Sequence, residues 1–193
     1  MTKNGIIVQD LSSPTGYISG FKYNGINAFH QYPLMEIQDE ECRRLTDAVL
    51  FKPTSDGMFE SLEFISDSGI FREYMNKCAE MNKKIRALFI ESDYEHEVWN
   101  APLPELEFLG YEYCEIPFDC QIITDFDWYE PFKRFYPMLN EYGVFDTLED
   151  VTEFKKAYDV AFEKGDIGDG DMDTYICRVY EVKEKQRKKK NEK

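Results

Sequence analysis

From Ala87 to Phe132 the chain runs 46 residues without a single Lys or Arg, yet carries twelve carboxylates, nine Phe or Tyr and both tryptophans. A stretch that is anionic and apolar at once cannot neutralise itself through local ion pairs. Its acids must meet bases brought from elsewhere in the fold, bind metal, or face a cationic partner. This choice constrains both the fold and the function.

The charge of the whole chain sharpens the point. Residues 1–182 hold 16 bases against 36 acids, whereas residues 183–193 hold seven bases and two acids. The expected organisation is one domain over 1–182, large enough to bury a core without covalent staples, and a basic, disordered tail over 183–193. An acidic body repels nucleic acid and anionic membrane, so a basic protein surface is the expected partner. Five scattered cysteines, Cys42, Cys78, Cys114, Cys120 and Cys177, form no CxxC and no zinc spacing, and read as reduced, buried hydrophobes. No signal peptide and no run of eighteen apolar residues is visible, which makes a cytoplasmic location the expectation.

Periodicity implies an α+β fold. Ile6–Val8 suits a strand, and Asn24-Gly25 between the aromatic-bearing arms of Tyr17–Phe29 signals an N-terminal hairpin. Asp39–Leu50 reads as a helix with Cys42, Leu45 and Val49 on one face. Residues 62–90 read as LEFI, a helix from about Ser68 bearing Phe71, Tyr74, Met75, Cys78, Asn82 and Ile85 at three-to-four spacing, then RALFI. That order suggests a βαβ-like crossover with parallel strands in a single sheet. LEFLGYEY is a further strand, and Pro131 opens a helix with Phe132 and Phe135 that Pro137 should end. The clearest helix is Leu148–Lys164: Thr147 caps it, Asp150 follows three residues on, Leu148, Val151, Phe154, Tyr158 and Ala161 form its stripe, and Gly165 stops it. Asp166–Asp173 is a loop, and Tyr175–Val182 is a final strand.

Two acidic clusters invite chemistry. GDIGDGDMD fails the EF-hand register, because counting from Asp169 puts Thr174 where glycine is required and Tyr180 where the bidentate acid belongs. ESDYEHE offers Glu91, Asp93, Glu95, His96 and Glu97 at the end of a strand, where binding crevices of open sheets lie. Five neighbours on one loop mostly point to water, however, and a metal site needs ligands converging from several elements. The other histidine, His30, lies within the hairpin region. Glycines 165, 168 and 170 follow a helix instead of preceding one, so they make no phosphate loop, and no Ser or Cys sits in a nucleophile elbow. No catalytic residue, cofactor or metal is therefore assigned.

DFDWYEPFKRFYP, Asp125–Pro137, combines interface-type aromatics with acids. Trp128 and Tyr129 are flanked by Asp125, Asp127 and Glu130, the residue types of a hot spot ringed by charge. The plainer account has Asp127 capping a helix whose rings enter the core. The expected partner-binding residues are Asp125, Asp127, Trp128, Tyr129 and Glu130, together with Glu91, Asp93, Glu95 and Glu97.

PELEFLGYEYCEI, Pro104–Ile116, resembles strand-and-loop text of bacterial polymorphic-toxin immunity proteins. The resemblance spans about a dozen residues and carries over no fold or binding residue. It implies a role: covering the basic active site of a partner toxin. The leading expectation is thus a cytoplasmic acidic inhibitor of a basic protein. The alternatives are a metal-dependent or acid-base enzyme using residues 91–97, and an acidic phage-type mimic of nucleic acid.

Overall fold

The computed structural model describes residues 1–10, 21–23, 26–28, 51–53, 59–61, 64–80, 82, 85–95, 98–115, 119–120, 129–167 and 174–183. The class is α+β. Strands β1 (Thr2–Asp10), β6 (Ile85–Ser92), β9 (Thr174–Val182), β7 (Leu106–Glu115) and β8 (Asp119–Cys120) form one five-stranded sheet in that order. Two short ribbons accompany it, β2 (Phe21–Tyr23) with β3 (Ile26–Ala28), and β4 (Phe51–Pro53) with β5 (Phe59–Ser61). The expected hairpin is the first of these, Phe21 pairing with Ala28 around Asn24-Gly25, and it forms a sheet of its own. The expected helix at 39–50 lies outside the described residues.

All strand pairs of the main sheet are antiparallel, which revises the crossover expected over 62–90. Its helix is present as α1 (Ser68–Glu80), and its second strand is β6. Its first arm reaches the sheet at Ile65, which exchanges backbone hydrogen bonds with Ile6 at 2.9 and 3.0 Å. Ile6 pairs antiparallel with both Ile65 and Phe89, so Ile65 and β6 run in the same direction with β1 between them. The direction of the crossover is as expected, but its two arms are not hydrogen-bonded neighbours. The apolar run of β1 fills the slot: Ile6 and Val8 join one core cluster and Ile7 another, as a strand buried on both faces requires. Gly5 permits the approach, because a Cβ there would lie 2.6 Å from the Ile65 carbonyl oxygen.

Each helix carries its own punctuation. Asp67 caps α1, its Oδ1 accepting from the backbone N–H of Gly69 at 2.7 Å and of Ile70 at 3.0 Å. Those two bonds hold the Asp67 carboxyl below its usual range. Asn82, with φ of 54°, turns the chain just beyond the helix. In α2 (Leu148–Glu163) the Thr147 hydroxyl accepts from Asp150 N–H at 3.1 Å and donates to the Asp150 carboxylate at 2.7 Å. Its end is a Schellman closure: Gly165 N–H reaches Phe162 at 2.8 Å and Asp166 N–H reaches Ala161 at 3.0 Å, with Gly165 at φ of 72°. Val151, Phe154 and Ala161 are buried as the stripe demands, while Leu148 at its start is exposed.

Between β8 and α2 the expected Pro131 helix forms as a 3-10 helix, Glu130–Met138. Three residues per turn eclipse positions three apart, and Tyr129, Phe132, Phe135 and Met138 all face the α2 cluster. Register places Phe89, Tyr180 and Phe108 on one face of the sheet, with Arg178, Tyr111, Tyr113 and Ile176. α1 covers the β1–β6 side of that face through Tyr74 and Cys78, and α2 with the 3-10 helix covers the far end of β7 through Tyr113. Leu88, Ile90, Leu109, Cys177 and Val179 build the core on the opposite face.

A bulge at Leu109 makes this arrangement possible, since the β7–β9 register shifts between Phe108 and Gly110. Gly110 then adopts φ of 148°, and a Cβ there would meet Val144 Cγ2 at 2.5 Å and the Phe145 carbonyl oxygen at 2.7 Å. Gly110→Ala should therefore lower unfolding free energy by about 2 kcal/mol or more, read from urea melts. An unchanged midpoint would show that the bulge relaxes freely.

Candidate functional site

Between the two helix-covered ends of the sheet face lies a strip that neither helix cluster absorbs: Glu91, Tyr180, Arg178, Tyr111 and Phe108. β6, β9 and β7 each contribute, and the paired register brings Glu91 opposite Arg178, Arg178 opposite Tyr111 and Tyr180 opposite Phe108. Tyr180 borders the α1 cluster, and Tyr111 borders the α2 cluster. Phe108 is 44% exposed and contacts both rings edge-on or tilted, with centroids 5.2 Å from Tyr111 and 5.3 Å from Tyr180.

Glu91 is the electrostatic hinge of the strip. Its side chain is only 13% exposed; Tyr180 Oη donates to Glu91 Oε2 at 2.9 Å, and Arg178 Nη1 lies 3.7 Å from the same oxygen. The guanidinium also stands over the Tyr111 ring, 5.9 Å from its centroid. Burial, then the hydrogen bond to Glu91, raises the Tyr180 hydroxyl above the ordinary tyrosine range. Such an array is a rigid, amphipathic contact surface of Tyr, Arg and Phe, the types that anchor interfaces.

The other expected residues fall in separate places. Asp93 is 72% exposed, and the α-amino group lies 3.5 Å from it. Glu95 is exposed. Their loop is held by a buried network: Asn4, the bulged residue of β1, accepts from Ser92 N–H at 2.8 Å and Ser92 Oγ at 2.7 Å, and donates to the Tyr94 carbonyl at 2.6 Å. Tyr129 is half-buried against Phe132, with ring centroids 4.8 Å apart, and its hydroxyl donates to Asp166 at 2.9 Å. Glu130 accepts from Lys133 at 2.5 Å. A shallow groove of about 410 Å³ beside Tyr129 is lined by Arg134, Lys156 and Lys164 against Glu153, so the surroundings there are not uniformly acidic. Glu97, His96, Asp125, Asp127 and Trp128 lie outside the described residues. The 91–95 segment and Tyr129 with Glu130 hold different partners, and among the described residues no group of three His, Cys, Asp or Glu could hold a metal ion.

The bases that the acidic stretch lacks come from β9 and its end. Arg178 meets Glu91, and Lys183 meets Glu107 and, at 2.7 Å, Glu181. These paired carboxylates lift the Lys183 ammonium above its ordinary range. Lys183 N–H also donates to the Glu105 carbonyl at 2.9 Å, so this residue, grouped with the tail by composition, belongs to the sheet edge. Phe108, Tyr111, Arg178 and Tyr180 were not singled out as site residues from sequence. The signal available was Arg178 and Tyr180 on alternate positions of an apolar strand.

Comparison with family models, with curated proteins and with solved structures finds nothing that matches this chain. Among the described residues no helix is long and apolar enough to cross a membrane.

Because the raised hydroxyl favours the neutral form, the Tyr180 contribution is fully present below the ordinary tyrosine pKa and is lost as pH rises through the folded value. Alkaline difference spectroscopy should show a late tyrosine component, shared with Tyr129 on Asp166, that Tyr180→Phe diminishes and whose Tyr180 part Glu91→Gln moves partway back, burial being the larger cause at Tyr180. If Tyr180→Phe leaves the late component intact, the strip is not assembled as described.

Proposed function

We propose that this chain is an acidic binding protein that docks a basic protein, the role an immunity protein plays toward its toxin. The reading is carried by the carboxylates left over after β9 has supplied its bases. Among the described acids of the base-free stretch, Glu91 and Glu107 meet Arg178 and Lys183, and Glu130 meets Lys133, while Glu95 and Glu105 are exposed and make no ion pair among the described residues. Unpaired acids on a body of net charge −15 steer a cationic partner toward the surface. The Phe108 strip then offers the desolvated contact that governs residence time. Asp125, Asp127 and Trp128 remain sequence-based candidates for contact with that partner.

Affinity capture from the native extract at low and high salt, followed by kinetics on the purified captured protein, tests this reading. A basic protein should be retained at low salt and released by high salt. Glu95→Lys combined with Glu105→Lys should slow its association by about tenfold and flatten the salt slope, without changing the melting temperature. Phe108→Ala should instead speed dissociation. A charge-reversed variant that captures the same protein with unchanged rate and salt slope would overturn the proposal.

A further inference from the structure

Beside Tyr129, the 3-10 helix and α2 leave between them the groove of about 410 Å³. Along α2 its lining recurs every three or four residues, at Glu153, Lys156, Ala157, Val160, Ala161 and Lys164, so one side of the helix runs along the recess. The small side chains of Ala157 and Ala161 keep it open beside the buried Phe132. The opposite wall is fixed: the Tyr129 ring packs on Phe132 with centroids 4.8 Å apart, and its hydroxyl donates to Asp166 at 2.9 Å. Val160, 48% exposed, presents an apolar lip to solvent.

The charge of this lining runs against the charge of the protein and is not neutralised in place. Arg134, Lys156 and Lys164 are exposed and make no ion pair among the described residues, whereas their sequence neighbours Lys133 and Lys155 are paired with Glu130 and Asp159. The Arg134 guanidinium lies over the Phe135 ring, 4.6 Å from its centroid, a contact that positions it without supplying a carboxylate. Glu153, the one acid among the described lining residues, is itself exposed and makes no ion pair among them. Three cations thus face one acid in a chain of net charge −15. At physiological ionic strength charges beyond about 8 Å are screened, so a segment seated here meets the groove's own cations before the charge of the body.

Spacing decides what fits. Lys156, Val160 and Lys164 follow one another at four-residue steps of α2, each advancing about 6 Å along the axis. An extended chain advances about 6.6 Å for every two residues and keeps those residues on one side. We propose that the groove docks an extended acidic segment of another protein, with carboxylates at its first and fifth positions on Lys156 and Lys164 and an apolar side chain at its third on Val160. Arg134 supplies a third cation from the opposite wall. A small anion is the poorer occupant, because the backbone positions of the two lysines lie about 12 Å apart along the helix. The groove shares no residue with the Phe108 strip, and its charge is of the opposite sign to the surface proposed for a basic partner.

Amide NMR titration of the full isotope-labelled chain with the peptide GETVTEG, whose two acids flank valine at two-residue steps, tests the assignment. Its shifts should saturate and concentrate on residues 153–164 and Arg134. GEETVTG, of the same composition, and glutarate, a small dicarboxylate, should each bind about threefold more weakly or worse, and the charge-inverted GKTVTKG should not bind. Lys156→Gln with Lys164→Gln should weaken GETVTEG by about fivefold and Arg134→Gln by about twofold, all at exposed positions that leave the melting temperature unchanged. Absence of saturable shifts at the groove, binding of GKTVTKG, GEETVTG or glutarate as tight as that of GETVTEG, or unaltered affinity in the folded variants would overturn the proposal. None of these results bears on the basic-partner reading, whose variants lie at Glu95, Glu105 and Phe108.

Discussion

The structure depends on the last strand occupying the middle of the sheet. β9 pairs antiparallel with β6 on one side and β7 on the other, so the two long strands of the base-free stretch are not neighbours. Inserted between them, β9 brings Arg178 to Glu91 and ends at Lys183, which closes on Glu107. The Tyr113 and Thr174 hydroxyls, 2.6 Å apart, tie its first residue to β7. The complete sheet thus needs the C-terminal segment, whose pairings with β6 and β7 are all of long sequence separation.

The same strand divides the surface by charge. Carboxylates beyond the reach of Arg178 and Lys183, such as Glu95 and Glu105, are left to solvent, whereas the far end of β9 sets Lys183 between Glu107 and Glu181. Two backbone irregularities shape the two faces of the sheet. The Asn4 bulge fixes the 92–94 turn, and the Leu109 bulge turns Leu109 into the opposite core while keeping Phe108 and Tyr111 on the strip.

What the sequence disclosed follows from which signals are local. α2 could be read from its periodicity, its Thr147 cap and its Gly165 stop, because all three act within one helix. α1, β6, β7 and β9 were visible by period, and Asn24-Gly25 marked the β2–β3 ribbon. The neighbour of β6 was not, since strand periodicity reports burial and not partner: β1 and β9 flank it, where a parallel strand from 62–65 was expected. The 3-10 form of 130–138 was legible only in retrospect, through the exact three-residue spacing of Tyr129, Phe132, Phe135 and Met138. Among the described residues of the expected site, Glu91 alone enters the strip, and its partners Arg178 and Tyr180 lie nearly ninety residues away in sequence. Asp93 and Glu95 are exposed beyond the strand end, and Tyr129 faces a core cluster.

The claim that β9 neutralises the base-free strands rests on the Glu91–Arg178 pair, one partner largely buried and the other half-exposed. A double-mutant cycle with Glu91→Gln and Arg178→Met, measured by urea unfolding, isolates that pair from the ring contacts each residue also makes. The account predicts a favourable coupling of about 1 kcal/mol that shrinks in high salt. Single-mutant costs that simply add, within roughly 0.3 kcal/mol, would contradict it.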